Sequence, residues 1–154
     1  MKKINKENFK KTLSTFATGI TVVATKNNSI LYGKTINSFS SLSLSPPLVL
    51  FSLDKKSSSL NIFKKTMFLG INILSKSQKN TSNYFSTKSP KWNDTKNFIT
   101  KNDVPMIYGS VANIECLKVK IINQGDHVIF ICKVNEILIH KTKKPLIYLN
   151  SKYL

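Results

Sequence analysis

The sequence contains no arginine. Its 24 basic residues are all lysine, and against seven acids they leave a formal charge of +17. Such a balance raises nucleic acid or an anionic membrane as partner. Nucleic-acid readers, however, rely on the planar guanidinium for bidentate contacts to guanine and phosphate. The lysines are also scattered, never more than two in a row. Abundant Lys, Asn and Ile beside few Ala and Gly suggests coding drift in an AT-rich genome. A solvated lysine surface is the better reading, and no nucleic-acid partner is expected.

Other scarcities exclude further classes. The two cysteines, Cys116 and Cys132, lie far apart in strand-like runs without metal-ligand spacing, so neither a disulfide framework nor a zinc site is expected. The most apolar segment, Pro46–Leu53, is far too short to span a bilayer. MKKINKENF has no apolar run of signal-peptide length behind it. Both point to the cytoplasm, with no membrane partner. The acids are dispersed, with no paired-carboxylate spacing, and GxSxG, HExxH and GxGxxG are all missing. At 154 residues a single domain over residues 1–154 is expected.

What is present is mostly strand. Phe9, Leu13 and Phe16 at i, i+4, i+7 predict a short opening helix. ITVVAT is a β-branched strand, and ILYGKTINSFSSLSL reads as one return strand, bent at Gly33. Pro46–Pro47 makes a corner before LVLFSL. DKKSSSLNIFKK predicts a turn into a helix, and FLGINIL another strand. Ser75–Phe85 has a weak helical pattern, and Ser86–Pro105 reads as a long loop. Two long strands, Tyr108–Asn123 and His127–His140, join at Gln124–Asp126, and PLIYL closes the chain. Few helices and many strands predict a mainly β fold, an antiparallel barrel with peripheral helices.

Three polar clusters interrupt this pattern. Gly33–Pro47, GKTINSFSSLSLSPP, crowds hydroxyls and an amide beside a strand; by composition alone it is an exposed edge. Phe39 alternates with these groups and should face the core. Lys55–Lys56–Ser57–Ser58–Ser59 combines cations and hydroxyls at an expected helix start, a sound phosphate site or an ordinary charged turn. Gly125–Asp126 is a common hairpin turn, with His127 beginning the next strand. Asn72, inside GINIL, needs a hydrogen-bond partner, a cross-strand one by default.

FATGITVVAT (16–25), the Gly33–Pro47 segment, PPLVLFSLDKKSSS (46–59), FLGINIL (68–74) and GDH (125–127) occur in that order. Together they resemble the flavin reductase family, whose members bind FMN in a split β-barrel, over about Phe9 to Tyr153. The resemblance implies that Thr35, Asn37 and Ser38 meet the isoalloxazine edge, with Lys34 reaching the cofactor or solvent. It puts Ser52, Lys55, Ser57 and Ser58 around the phosphate and ribityl chain. Phe85 would cover the cofactor or belong to the core. His127 would be the catalytic residue, orienting the nicotinamide, with Tyr153 near it. The family's arginine beside the serines is lysine here, which loses bidentate geometry. Its late glycine is Asn150–Ser151 here, which weakens inference about the tail.

The implied function is NAD(P)H-dependent reduction of FMN (FAD possible), with NADH or NADPH as substrate. A homodimer and a partner flavin-dependent monooxygenase are implied too. Without a dinucleotide fingerprint, the nicotinamide must bind over the flavin. The rivals are a flavin-binding protein without reductase activity and a basic nucleic-acid-binding barrel.

Overall fold

The structure, a computed structural model, describes residues 3–87 and 92–154. In chain order it contains α1 (Lys6–Ser14), β1 (Thr18–Gly19), β2 (Thr21–Asn27), β3 (Ile30–Ile36), β4 (Ser40–Ser43), β5 (Leu48–Asp54) and α2 (Leu60–Lys65). There follow β6 (Phe68–Ile73), a 3-10 turn (Lys76–Gln78), α3 (Lys79–Ser86), β7 (Asn97–Ile99) and β8 (Pro105–Ile107). The chain ends in β9 (Ala112–Gln124), β10 (His127–Ile139), β11 (Ile147–Leu149) and β12 (Lys152–Tyr153).

Seven strands form one sheet in the order β3-β2-β6-β9-β10-β5-β4, antiparallel throughout. Its outer strands, β3 and β4, are separated in sequence only by Asn37, Ser38 and Phe39. Laid flat, seven strands at about 4.8 Å spacing would hold their edges about 29 Å apart. The short link reaches at most about 14 Å. The sheet therefore has to curl until its edges meet. No backbone ladder joins β3 to β4 among the described residues. Ser38 bridges the seam instead: its hydroxyl donates to Ser52 O (3.0 Å) and accepts from the Ser52 N–H (3.1 Å). The result is the expected mainly β, antiparallel split barrel.

Strand alternation fills the interior. Val49, Phe51 and Leu53 of β5 and Val128, Phe130 and Cys132 of β10 are buried, and the residues between them are half-buried. Phe51 and Phe130 are register partners, and their rings stack at 5.0 Å, an offset pairing that adds to their area burial. Phe39 packs against this core, as its alternation predicts. Both cysteines are buried and free. A second cluster, including Val22, Ala24, Phe85, Trp92 and Leu146, lies on the other side of β2.

Three expectations need correction. The return strand is two strands, β3 and β4, at opposite edges of the sheet. Gly33 is no bend: it pairs with Ala24 inside β3, and a Cβ there would lie 2.7 Å from the Phe85 ring. Close packing is what requires glycine. The predicted loop over residues 86–105 carries β7, which pairs with β8; residues 88–91 of it lie outside the described residues.

Candidate functional site at the barrel seam

The Asp54–Ser59 turn and the Gly125–His127 turn are about seventy residues apart in sequence, yet β5 and β10 deliver them to one place. His127 is the register partner of Asp54, and Ile129 of Ser52. The Lys55 N–H donates to Asp126 O (2.9 Å), and Lys55 Nζ donates to Gly125 O (2.6 Å). Gly125 makes this turn possible with φ +55, where glycine carries no Cβ penalty. Strand alternation points Ser52, His127 and Ile129 outward, all half-buried.

His127 Nδ1 lies 2.7 Å from Asp126 Oδ1. That hydrogen bond, and then the imidazole's charge, holds the Asp126 carboxyl below its ordinary range. With Nδ1 occupied, Nε2 is the ring atom left to meet a substrate. Beside it, the turn offers Ser57, whose Oγ lies 3.4 Å from Ser59 Oγ, and the exposed Ser58 and Lys56. The helix start differs from expectation. α2 has only six residues, and its N-cap Ser59 makes no side-chain cap bond. The anion-binding character of this turn therefore rests on lysines and hydroxyls.

Ser38 and Ser52 connect this end to the seam. Asn37 is exposed in the link itself. Thr35 and Lys34, at the end of β3, turn to α3. Thr35 Oγ1 donates to Ser82 O (2.7 Å), and Ser82 Oγ lies 2.9 Å from Tyr153 OH. Lys34 Nζ donates to Ser86 O (2.9 Å) and Thr87 O (3.0 Å), so this ammonium caps the C-terminal carbonyls of α3. Partial burial lowers its pKa. Half-buried Lys34 thus holds α3 in place, a contact that neither expectation included.

Phe85 takes the core alternative. It is fully buried, edge-on to Trp92 at 4.8 Å and to Tyr84 at 5.5 Å. Asn72 does the same: its amide donates to Val22 O (3.0 Å) and accepts from the Ile107 N–H (2.8 Å) and Asn113 Nδ2 (2.7 Å). Tyr153 reaches Ser82 because Asn150 and Ser151 form a tight turn with φ 50 and 62. Leu149 pairs with Lys152 around it. The Asn-Ser replacement therefore preserves the turn.

Ser82 is the residue that sequence reasoning missed. It is fully buried and joins β3, α3 and β12; a serine in a polar helix gives no pattern signal. Among the described residues, no group of three or more His, Cys, Asp or Glu could hold a metal.

The donor set fits a flavin nucleotide. Hydroxyls and an amide line the seam, lysines and serines the adjoining turn, and half-buried Leu50, Ile129 and Ile131 give the outer face apolar surface. A split barrel with such a seam defines a class of flavin-binding protein. The chain matches the Flavin reductase like domain over residues 13–154 and belongs to that family. It is 35% identical to the FMN reductase (NADH) SmoA of Agrobacterium fabrum over 144 residues, 94% of this chain and 82% of that one. It is also 35% identical to HsaB of Mycobacterium tuberculosis, the reductase subunit of a flavin-dependent monooxygenase, covering 82% of this chain and 68% of that one. The structure of the flavin reductase PheA2 in its native state superposes with a TM-score of 0.90. It shares 33% identity, over 98% of this chain and 97% of that chain.

Proposed function

We propose that the protein is a homodimeric NADH-dependent flavin reductase acting as a single domain over residues 1–154. The observation that carries this reading is the Lys55–Gly125/Asp126 junction, which brings a turn rich in lysine and serine and a half-buried, outward imidazole together. Asn37 and the outward polar groups of the seam hold the ring's polar edge. Ser52, Lys55, Ser57 and Ser58 hold the ribityl phosphate, FMN suiting one such turn, with FAD also admissible. A bound flavin supplies a two-electron acceptor for hydride from the reduced nicotinamide.

Hydride transfer itself needs no acid or base, so the work of His127 is orientation, its ring steadied by Asp126. Positioning is where such a site gains most of its rate. Lys34, Thr35 and Tyr153 act one layer back, fixing α3 against the seam. NADH over NADPH follows the relative SmoA, whose name specifies NADH. The reductase-subunit relative supports a partner monooxygenase that consumes the reduced flavin. The reading places the protein in the cytoplasm, where NADH is available and cysteines are kept as thiols.

A second copy is supported by uncovered apolar surface. Phe9 and Leu13 of α1 are each 56% exposed and Phe16, just past it, 75%, so this apolar stripe is more than half uncovered within the chain. Stripes of that kind mark interaction sites.

The test is anaerobic mixing of protein and FMN with NADH, then NADPH, following loss of the oxidised flavin's visible absorbance, with His127→Ala alongside. We expect rapid bleaching, and kcat/KM for NADH reduced roughly 10- to 100-fold in the variant, the worth of one charge-assisted contact. Its FMN affinity should be unchanged. Tight FMN binding without bleaching above the protein-free rate would leave a flavin-binding protein and overturn the enzyme.

A further inference from the structure

β9 turns Ile114 and Cys116 to the barrel core, and at the same two-residue spacing the next inward position is Lys118. Strand alternation calls for an apolar side chain there. The register of β9 against β10 steps from Lys120↔Ile131 to Lys118↔Cys132, which leaves Val119 as an extra residue, and bulges re-aim the side chains beside them. Lys118 is half-buried, and burial pushes its pKa down. Among the described residues no carboxylate pairs with it. Its ammonium instead donates to Phe63 O (2.8 Å), Lys64 O (2.5 Å) and Thr66 O (2.5 Å). Three donors meet three acceptors, all from the last turn of α2 and its C-cap.

That end of a helix leaves its carbonyls without intrahelical partners. α2 depends on outside contacts, because its six residues span only about 9 Å, too few for a helix to persist alone in water. Leu60 and Phe63 bury one face, whereas the N-cap Ser59 contributes no side-chain bond. The near end of α2 is continuous with the lysine and serine turn. The Leu60 N–H donates to Ser57 O (3.1 Å), and the Ile62 and Phe63 N–H groups donate to Ser59 O (3.0 and 3.2 Å). Rotation of α2 about its buried face is therefore carried to the backbone of those serines. Lys118 opposes that rotation from the far end.

We propose that Lys118 is a positioning residue for the flavin phosphate, fixing the Ser57–Ser59 turn through α2. The proposal rests on the phosphate-turn reading above. Acting through a helix, Lys118 affects phosphate binding and leaves hydride transfer alone.

The test titrates FMN, and riboflavin, which lacks the phosphate, into the unmodified chain, Lys118→Met and Lys120→Met. Methionine keeps the hydrocarbon stem and removes the ammonium. Lys120, exposed two residues along the strand, controls for the lost charge. Lys118→Met should weaken FMN binding about tenfold, the worth of lost charge-assisted hydrogen bonds. Riboflavin binding should change by less than about twofold, and kcat at saturating FMN and NADH should hold. Lys120→Met should move neither affinity by more than about twofold. On the unmodified protein, FMN should slow hydrogen exchange at the Thr66 amide, which donates to Ile62 O (3.0 Å), and riboflavin should not. If Lys118→Met weakens FMN and riboflavin alike, or lowers only Tm, Lys118 is a structural residue and the proposal is overturned. An FMN loss that Lys120→Met matches overturns it too, as an effect of charge alone. Should Lys118→Met not fold, Thr66 exchange slowed equally by both flavins decides against the proposal. Equal affinity of the unmodified chain for FMN and riboflavin overturns the phosphate turn itself, and this proposal with it.

Discussion

Gly33 and Phe85 show how tightly one residue can be dictated by another far away in sequence. The ring occupies the space in which any Cβ at position 33 would lie, and Trp92 stands 3.0 Å from the same point. A β-strand paired on one side with β2 has little freedom to tilt away. Gly33→Ala should therefore cost about 1–3 kcal/mol, the usual range for overpacking. Phe85→Leu should cost less in the Gly33→Ala background than in the unmodified chain, because the larger Cβ fills what the ring vacates. Denaturant unfolding of the four proteins decides it, and strictly additive losses would mean that the two residues do not share this space. The seam has its own residue-scale check. The Asp126 carboxyl is held below its ordinary value of 3.8 by the hydrogen bond to His127 and then by its charge. A lowered folded-state pKa means that the pair contributes above the unfolded value and is lost as pH falls through the folded one. A carbon-detected NMR titration should find the Asp126 midpoint below 3.8, and closer to it in His127→Ala. An unmoved midpoint would break the link between the two side chains.

At the scale of elements, the turn joining β11 to β12 determines where Tyr153 goes. Both of its residues have positive φ, 50 at Asn150 and 62 at Ser151. Asparagine tolerates that region, but serine pays about 1 kcal/mol or more for it. Asn-Gly is the favoured pair in such turns. Ser151→Gly should raise stability by about 0.5–1 kcal/mol and leave flavin reduction unchanged, measurable as Tm beside turnover. A lower Tm would mean that the Ser151 hydroxyl matters more than its backbone. The same turn marks the limit of what could be read from residues in order. Apolar and β-branched runs made β2, β5, β6, β9 and β10 legible, and of these β5 and the first half of β10 also bury every second residue. The ends of β9 and β10 followed from Gly125–Asp126. Nothing local separated β3 from β4: Asn37–Phe39 reads as more strand, and only pairing with β2 on one side and β5 on the other reveals the break. β7 and β8, three residues each, are too short to write a period. Of the site, the two turns were legible because lysine, serine, glycine and histidine in those orders have chemistry. That Lys34 would cap α3, and that Ser82 would receive Thr35, depends on where a helix docks, which no spacing encodes.

For the whole molecule, the question is what a charge of +17 does to a site whose ligands are anions. A phosphate approaching this chain meets a positive potential well before it meets Lys55 or Lys56. Such a field accelerates encounter by about 10-fold or more at low salt and fades once the Debye length drops below about 10 Å. Contacts at the turn act later, on how long the ligand stays. The two effects separate by rate constant and by ligand. In stopped-flow mixing, the association rate of FMN should fall roughly tenfold between about 20 mM and 500 mM salt, while that of riboflavin, which lacks the phosphate, stays nearly flat. Lys56→Gln should change FMN association by less than about twofold, since one charge in 24 hardly alters the field, but speed dissociation several-fold through the lost contact. If the substitution slowed association as much as high salt does, steering would be local to the turn and the remaining lysines irrelevant to it. If salt slowed FMN and riboflavin alike, the phosphate would not be what the field acts on, and Lys55–Ser58 would lose its assignment as the phosphate turn.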